Sequence, residues 1–129
     1  MKAAFATTDG IKVDEHFGRA GMFSIYEFTK DGYTDLGQRV FSEGRDSAVE
    51  QTKGLGAAHE TAVDDKVEKL ADCKVVYMTA IGGPSAARLT VKGMMPVKVA
   101  EGSEIDALAK QLMTAIRTSP PPWLRKLIG

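Results

Sequence analysis

The chain predicts a mixed α/β fold: one five-stranded sheet, three antiparallel strands followed by parallel strand–helix units, with three helices packed on it. Three observations carry this expectation. Short aromatic and β-branched runs crowd the first third of the chain, an amphipathic helical stripe occupies its middle, and the continuous apolar run VVYMTA leads into Gly-Gly-Pro and a second helical pattern.

Taken in order, Lys2–Thr8, Met22–Phe28 and Tyr33–Val40 read as strands separated by the turn signals Asp9-Gly10 and Asp31-Gly32. Asp31-Gly32 joins the second and third as a hairpin, with Ile25 and Tyr26 on opposite faces. After Gly54, Val63, Val67, Leu70 and Ala71 recur at helical spacing, and Asp64, Asp65, Lys66, Glu68 and Lys69 fill the other face. That helix ends near Cys73. VVYMTA then suits a strand buried on both sides, and Gly82-Gly83-Pro84 opens a helix over Ser85–Lys92 that stops at Gly93. Met95–Val99 is the fifth strand. Ser103 is expected to cap a last helix whose Ile105, Leu108, Ala109, Leu112 and Ile116 form one apolar stripe. Beyond residue 118, Pro120, Pro121 and Pro122 favour an extended tail presenting Trp123, Leu124, Leu127 and Ile128. The chain thus divides into one domain, 1–118, and a Pro-rich tail, 119–129.

With 129 residues, 43% of them apolar, one core is the expectation. Lysine plus arginine (17) balance aspartate plus glutamate (17), so the basic footprint that nucleic acid or an anionic membrane demands is missing. The opening residues enter a strand directly, without the apolar stretch of a signal peptide or membrane span, and a cytoplasmic location is expected. The one cysteine, Cys73, cannot by itself hold an iron–sulfur cluster, which takes about four thiolates.

If the first strand runs parallel to VVYMTA, the loop Asp9–Gly21 leaves the sheet at the same edge as Gly82-Gly83. The start of the preceding helix, with His59, lies there too. Cys73 falls at the opposite edge, about 15 Å away at roughly 3.3 Å per residue. His16, His59, Gly82 and Gly83 are therefore the expected convergence. A neutral imidazole suits iron, whereas a loop histidine satisfied by local hydrogen bonds is the plainer reading of His16, and a solvated surface residue that of His59. The glycine turn and helix start could receive an anion, or be only a tight turn. Neither GxGxxG nor GxxxxGK[ST] occurs, so a nucleotide is not indicated. Met22, Met78, Met94, Met95 and Met113 read as core filler, and Cys73 as a small buried residue. Asp9, Asp14 and Glu15 read as turn carboxylates rather than a two-metal hydrolase site.

VDEHFGRAGMFSIYEF resembles the opening of the dinitrogenase iron–molybdenum cofactor family, in which a His-Phe-Gly motif follows the first strand. LADCKVVYMTAIGGPSAARLTVKGMMPVKV is similar to that family's later block, and SPPPWLRKL to the C-terminus of its NifX-type members. The resemblance implies a ribonuclease-H-like sheet. It further implies no enzymatic activity but binding and transfer of an iron–sulfur precursor of the iron–molybdenum or iron–vanadium cofactor. The expected partners are the cofactor-assembly scaffold, the NifB-type enzyme and apo-nitrogenase. The cofactor-binding set is then His16, which matches the family's motif histidine, with its neighbours Phe17, Gly18 and Arg19, joined on topology by His59, Gly82 and Gly83. His16 is the candidate metal ligand, Cys73 matches a cysteine common in the family, and Arg19, Arg45 and Arg88 could complement an anionic cluster. A metal-free, chaperone-like interaction protein for apo-nitrogenase, docking through Trp123 and the tail, is the alternative.

Overall fold

The structure is a computed structural model that describes residues 1–41, 65–118 and 122. Its main sheet has five strands: β1 (Lys2–Ala6), β3 (Met22–Thr29), β4 (Gly32–Val40), β5 (Cys73–Met78) and β6 (Met95–Lys98). The spatial order is β4-β3-β1-β5-β6. β3 is antiparallel to both β1 and β4, whereas β5 runs parallel to β1 and to β6. The predicted hairpin and the assumed parallel pairing of the first strand with VVYMTA are thus both present. Pro96, which lacks an N–H, is accommodated because β6 lies at the sheet edge.

Two apolar layers sandwich the sheet, and strand alternation decides which side chain joins which. Ala4, Ala6, Ile25, Val76 and Met78 face one layer, together with Val67 and Leu70 and with Leu89 of α1 (Gly83–Val91). Ala3, Phe5, Val75 and Tyr77 face the other, which α2 (Ile105–Arg117) covers with Ile105, Leu108, Ala109, Leu112 and Met113. Each of the Val, Leu, Ile, Phe and Met side chains among them, fully buried, contributes roughly 1.5–3 kcal/mol, so these stripes hold the helices on the sheet. Ile25 and Tyr26 fall in opposite layers, as the hairpin reading expected. The central helix is described at residues 65–69, so with α1 and α2 the three expected helices are represented.

Two local readings are corrected. Ser103 does not cap the last helix: it pairs with Val13 in a two-residue ribbon of β2 (Lys12–Val13) and β7 (Ser103–Glu104), and its hydroxyl donates to Ala100 O at 2.6 Å. α2 begins after Glu104, with no side-chain cap bond. Lys66 is not on a solvated face but 1% exposed. A register shift also breaks strict alternation in β5, since Cys73 pairs with Lys2 while Val75 pairs with Ala3. The extra residue places Cys73 in the same layer as Val76 and Met78.

Candidate functional site

β1 and β5 end side by side, and the loop after β1 returns to extend the sheet beyond the end of β5. Thr79 N–H donates to Glu15 O at 3.0 Å, Phe17 N–H donates to Ala80 O at 2.9 Å, and His16 bridges Ala80 in parallel fashion. His16 is thereby fixed two residues from Gly82, at the carboxyl edge of the parallel strands. Alternation then sorts the motif: His16 and Arg19 are exposed, Phe17 is buried and Gly18 is half-buried. The Phe17 ring packs against Phe23, with centroids 5.9 Å apart. Immediately after His16 the chain makes one helical turn, in which His16 O accepts from Arg19 N–H at 3.1 Å and Ala20 N–H at 2.9 Å.

The turn is held from beneath by a residue that sequence reading misplaced. Lys66 Nζ donates to Phe17 O and Gly18 O, both at 3.1 Å, and stands 5.7 Å from the centroid of the Phe17 ring. A buried ammonium is tolerable only when its protons find acceptors, and these carbonyls are two of them. The available signal was angular: at 3.6 residues per turn, position 66 lies one turn before Leu70, on the flank of the apolar stripe. Its charge disguised it among Asp65, Glu68 and Lys69.

Gly82 and Gly83 are exposed, and α1 starts on them with Pro84 in its first turn. Neither glycine has a positive φ. A Cβ would meet nothing within 4 Å at Gly83, and only Pro84 Cδ at 4.0 Å at Gly82. Among the described residues nothing therefore requires glycine there, and both positions are exposed. No side-chain hydrogen bond caps the start of α1 among the described residues.

The loop carboxylates serve turns. Asp9 Oδ1 accepts from Ile11 N–H at 2.8 Å and Lys12 N–H at 3.0 Å, and these backbone donors hold its carboxyl below the usual range. Asp14 accepts from both the N–H and the hydroxyl of Thr8. Among the described residues, no three His, Cys, Asp or Glu side chains gather as a metal site.

Cys73 lies at the start of β5, at the far end of the strand from Gly82, and is 0% exposed. Burial, helped by the neighbouring Asp72 carboxylate, pushes its thiol up to about 12. The metal-binding and nucleophilic form is the thiolate, which burial at this position disfavours. Iodoacetamide is accordingly expected to label Cys73 only after denaturation, as mass spectrometry would show. Rapid labelling of the folded protein would contradict this burial. Of the methionines read as core filler, Met78, Met94 and Met113 are buried and Met22 and Met95 half-buried. Arg88 lies on α1. His59, Arg45 and the tail residues 123–129 lie outside the described residues.

The chain matches the family described as "Dinitrogenase iron-molybdenum cofactor" over residues 1–115. It is 37% identical to "Protein NifX" of Rhodobacter capsulatus, over 100% of this chain and 78% of that protein. It is 33% identical to "Protein NifX" of Sinorhizobium fredii, again over 100% of this chain and 78% of its relative. In structure it is similar to PH0822, with a TM-score of 0.65 at 18% identity, covering 88% of this chain and 91% of that one. The order of its motifs and these matches along the whole of this chain together show that the chain belongs to the dinitrogenase iron–molybdenum cofactor family, as a NifX-type member.

Proposed function

We propose that this protein is a cytoplasmic carrier in nitrogenase cofactor biosynthesis. It binds a preformed iron–sulfur precursor, the NifB product or a later intermediate, and hands it between the NifB-type enzyme, the assembly scaffold and apo-nitrogenase. The observation that supports this most is the exposed imidazole of His16, held by backbone bonds to the end of β5 beside an open glycine turn. One imidazole bonds iron, and nearby N–H groups can donate to sulfide or carry the anionic charge of a cluster. Such a set grips less firmly than about four thiolates, which suits release as well as capture. Phe17 and Gly18 serve by holding the loop, while Arg19, exposed beside His16, adds positive charge at the mouth. The spatial strand order, with β3 alone reversed, supports the ribonuclease-H-like label.

Anaerobic mixing with purified precursor cluster tests the reading. A brown stoichiometric complex is expected, and His16→Ala is expected to weaken it. An unaltered spectrum with both proteins would refute the carrier role. A companion prediction concerns Gly83→Ala. Because φ is ordinary and the space is empty, stability should hold or rise by about 0.4–1 kcal/mol, while cluster affinity falls if cargo approaches this backbone. Thermal melting and cluster titration of the same variant separate the two effects.

A further inference from the structure

We propose that Lys66 is the positioning residue of the His16 loop, its ammonium closing the turn that presents the imidazole to cargo. This rests on the carrier reading and adds a residue to it.

A helical turn leaves its last carbonyls without intrachain donors. Here the turn opens with His16 O, which is satisfied by Arg19 and Ala20 N–H; of the next two carbonyls, Phe17 O keeps one long bond from Ala20 N–H at 3.4 Å, and Gly18 O follows it. A continuing helix would supply donors from residues 21 and 22. Instead the chain departs into β3 at Met22, whose partner is Val40, so the helix stops after one turn. Lys66 Nζ takes over, bonding both carbonyls at 3.1 Å. The loop therefore has two anchors of different kind. Backbone bonds tie Glu15 and Phe17 to the end of β5, and the ammonium ties Phe17 and Gly18 to the helix preceding β5. The two anchors meet at Phe17, next to His16, so the position of the imidazole answers to both.

Filling the core would not call for an ammonium, because an apolar side chain of similar volume avoids the desolvation cost of a buried charge. What methionine cannot do at this position is donate. The full-length Lys66→Met protein is therefore the informative variant. Amide exchange at Arg19 and Ala20 is expected to accelerate about tenfold or more, the effect of losing a charge-assisted hydrogen bond, while β1 and β5 amides keep their rates. With a synthetic thiolate-ligated cubane iron–sulfur cluster as probe, Kd should rise about tenfold in the Lys66→Met protein. In a His16→Ala background the same change should have no further effect, because Lys66 acts through His16.

Unaltered exchange at Arg19 and Ala20 would overturn the proposal, as would a binding loss that adds in full to that of His16→Ala. If His16→Ala itself leaves probe affinity unchanged, the carrier reading fails, and the exchange rates still decide whether Lys66 holds the turn. Should Lys66→Met not fold, Lys66→Gln, which retains a neutral donor, takes its place. Unfolding of both would show that the lysine serves the whole fold, contrary to the proposal.

Discussion

Phe17→Ala is expected to destabilise the protein by about 3–5 kcal/mol and to weaken cluster binding in the molecules that remain folded. The ring is 0% exposed, packs on Phe23 and lies under the Lys66 ammonium. Truncation opens a cavity directly beneath the turn that carries His16, and the surrounding sheet is too well tied by hydrogen bonds to collapse into it. Urea unfolding should show a lower midpoint at an unchanged slope, the signature of lost stability rather than an altered denatured state. Cluster titration at low denaturant and temperature, where the variant is still folded, should show the second effect.

Phe5→Ala should lose a similar amount of stability, about 3–5 kcal/mol, without the second effect. Phe5 belongs to the opposite layer of the sheet, stacked on Tyr77 at 4.6 Å and edge-on to Tyr26 at 5.5 Å, with α2 covering that side. Phe17 lies in the other layer. Cluster affinity of the folded variant should stay within about twofold of the parent, because substitutions without shared partners act independently. Comparing the two phenylalanines separates loss of the site from loss of the fold. Equal damage to binding in both would mean that cargo affinity merely follows global stability.

Much of the fold was legible because the relevant patterns are long. Eight- and nine-residue strands around Asp31-Gly32 leave a clear hairpin trace, and a continuous apolar run can satisfy two buried faces only in the middle of a sheet. The ribbon of β2 and β7 was not legible, since two residues per strand cannot display a period. Ser103 looked like a cap because a serine before an apolar stripe is the usual signal. Its hydroxyl was instead taken by Ala100 O, a local bond with no trace in hydrophobic pattern. Cys73 was rightly read as buried, but the register shift that sets its layer depends on pairing with Lys2.

At the site, topology alone brought the His16 loop and Gly82-Gly83 to one edge. The bonds that fix them, Phe17 N–H to Ala80 O and Thr79 N–H to Glu15 O, are made by backbone in a loop, where side-chain pattern carries no information. Lys66 was hidden for a different reason. Binary patterning assigns every charge to solvent, whereas this ammonium donates to carbonyls whose direction only the folded turn determines.

If the His16 imidazole meets the cargo, a histidine nitrogen must couple to it, and the chain has only two histidines. Pulsed electron paramagnetic resonance of cluster-loaded protein carrying nitrogen-15 in its histidines reads that contact directly. Coupling to a histidine nitrogen is expected in the parent and in His59→Ala, and is expected to vanish in His16→Ala. Coupling that survives in His16→Ala, or is missing from the fully loaded parent, would contradict the account.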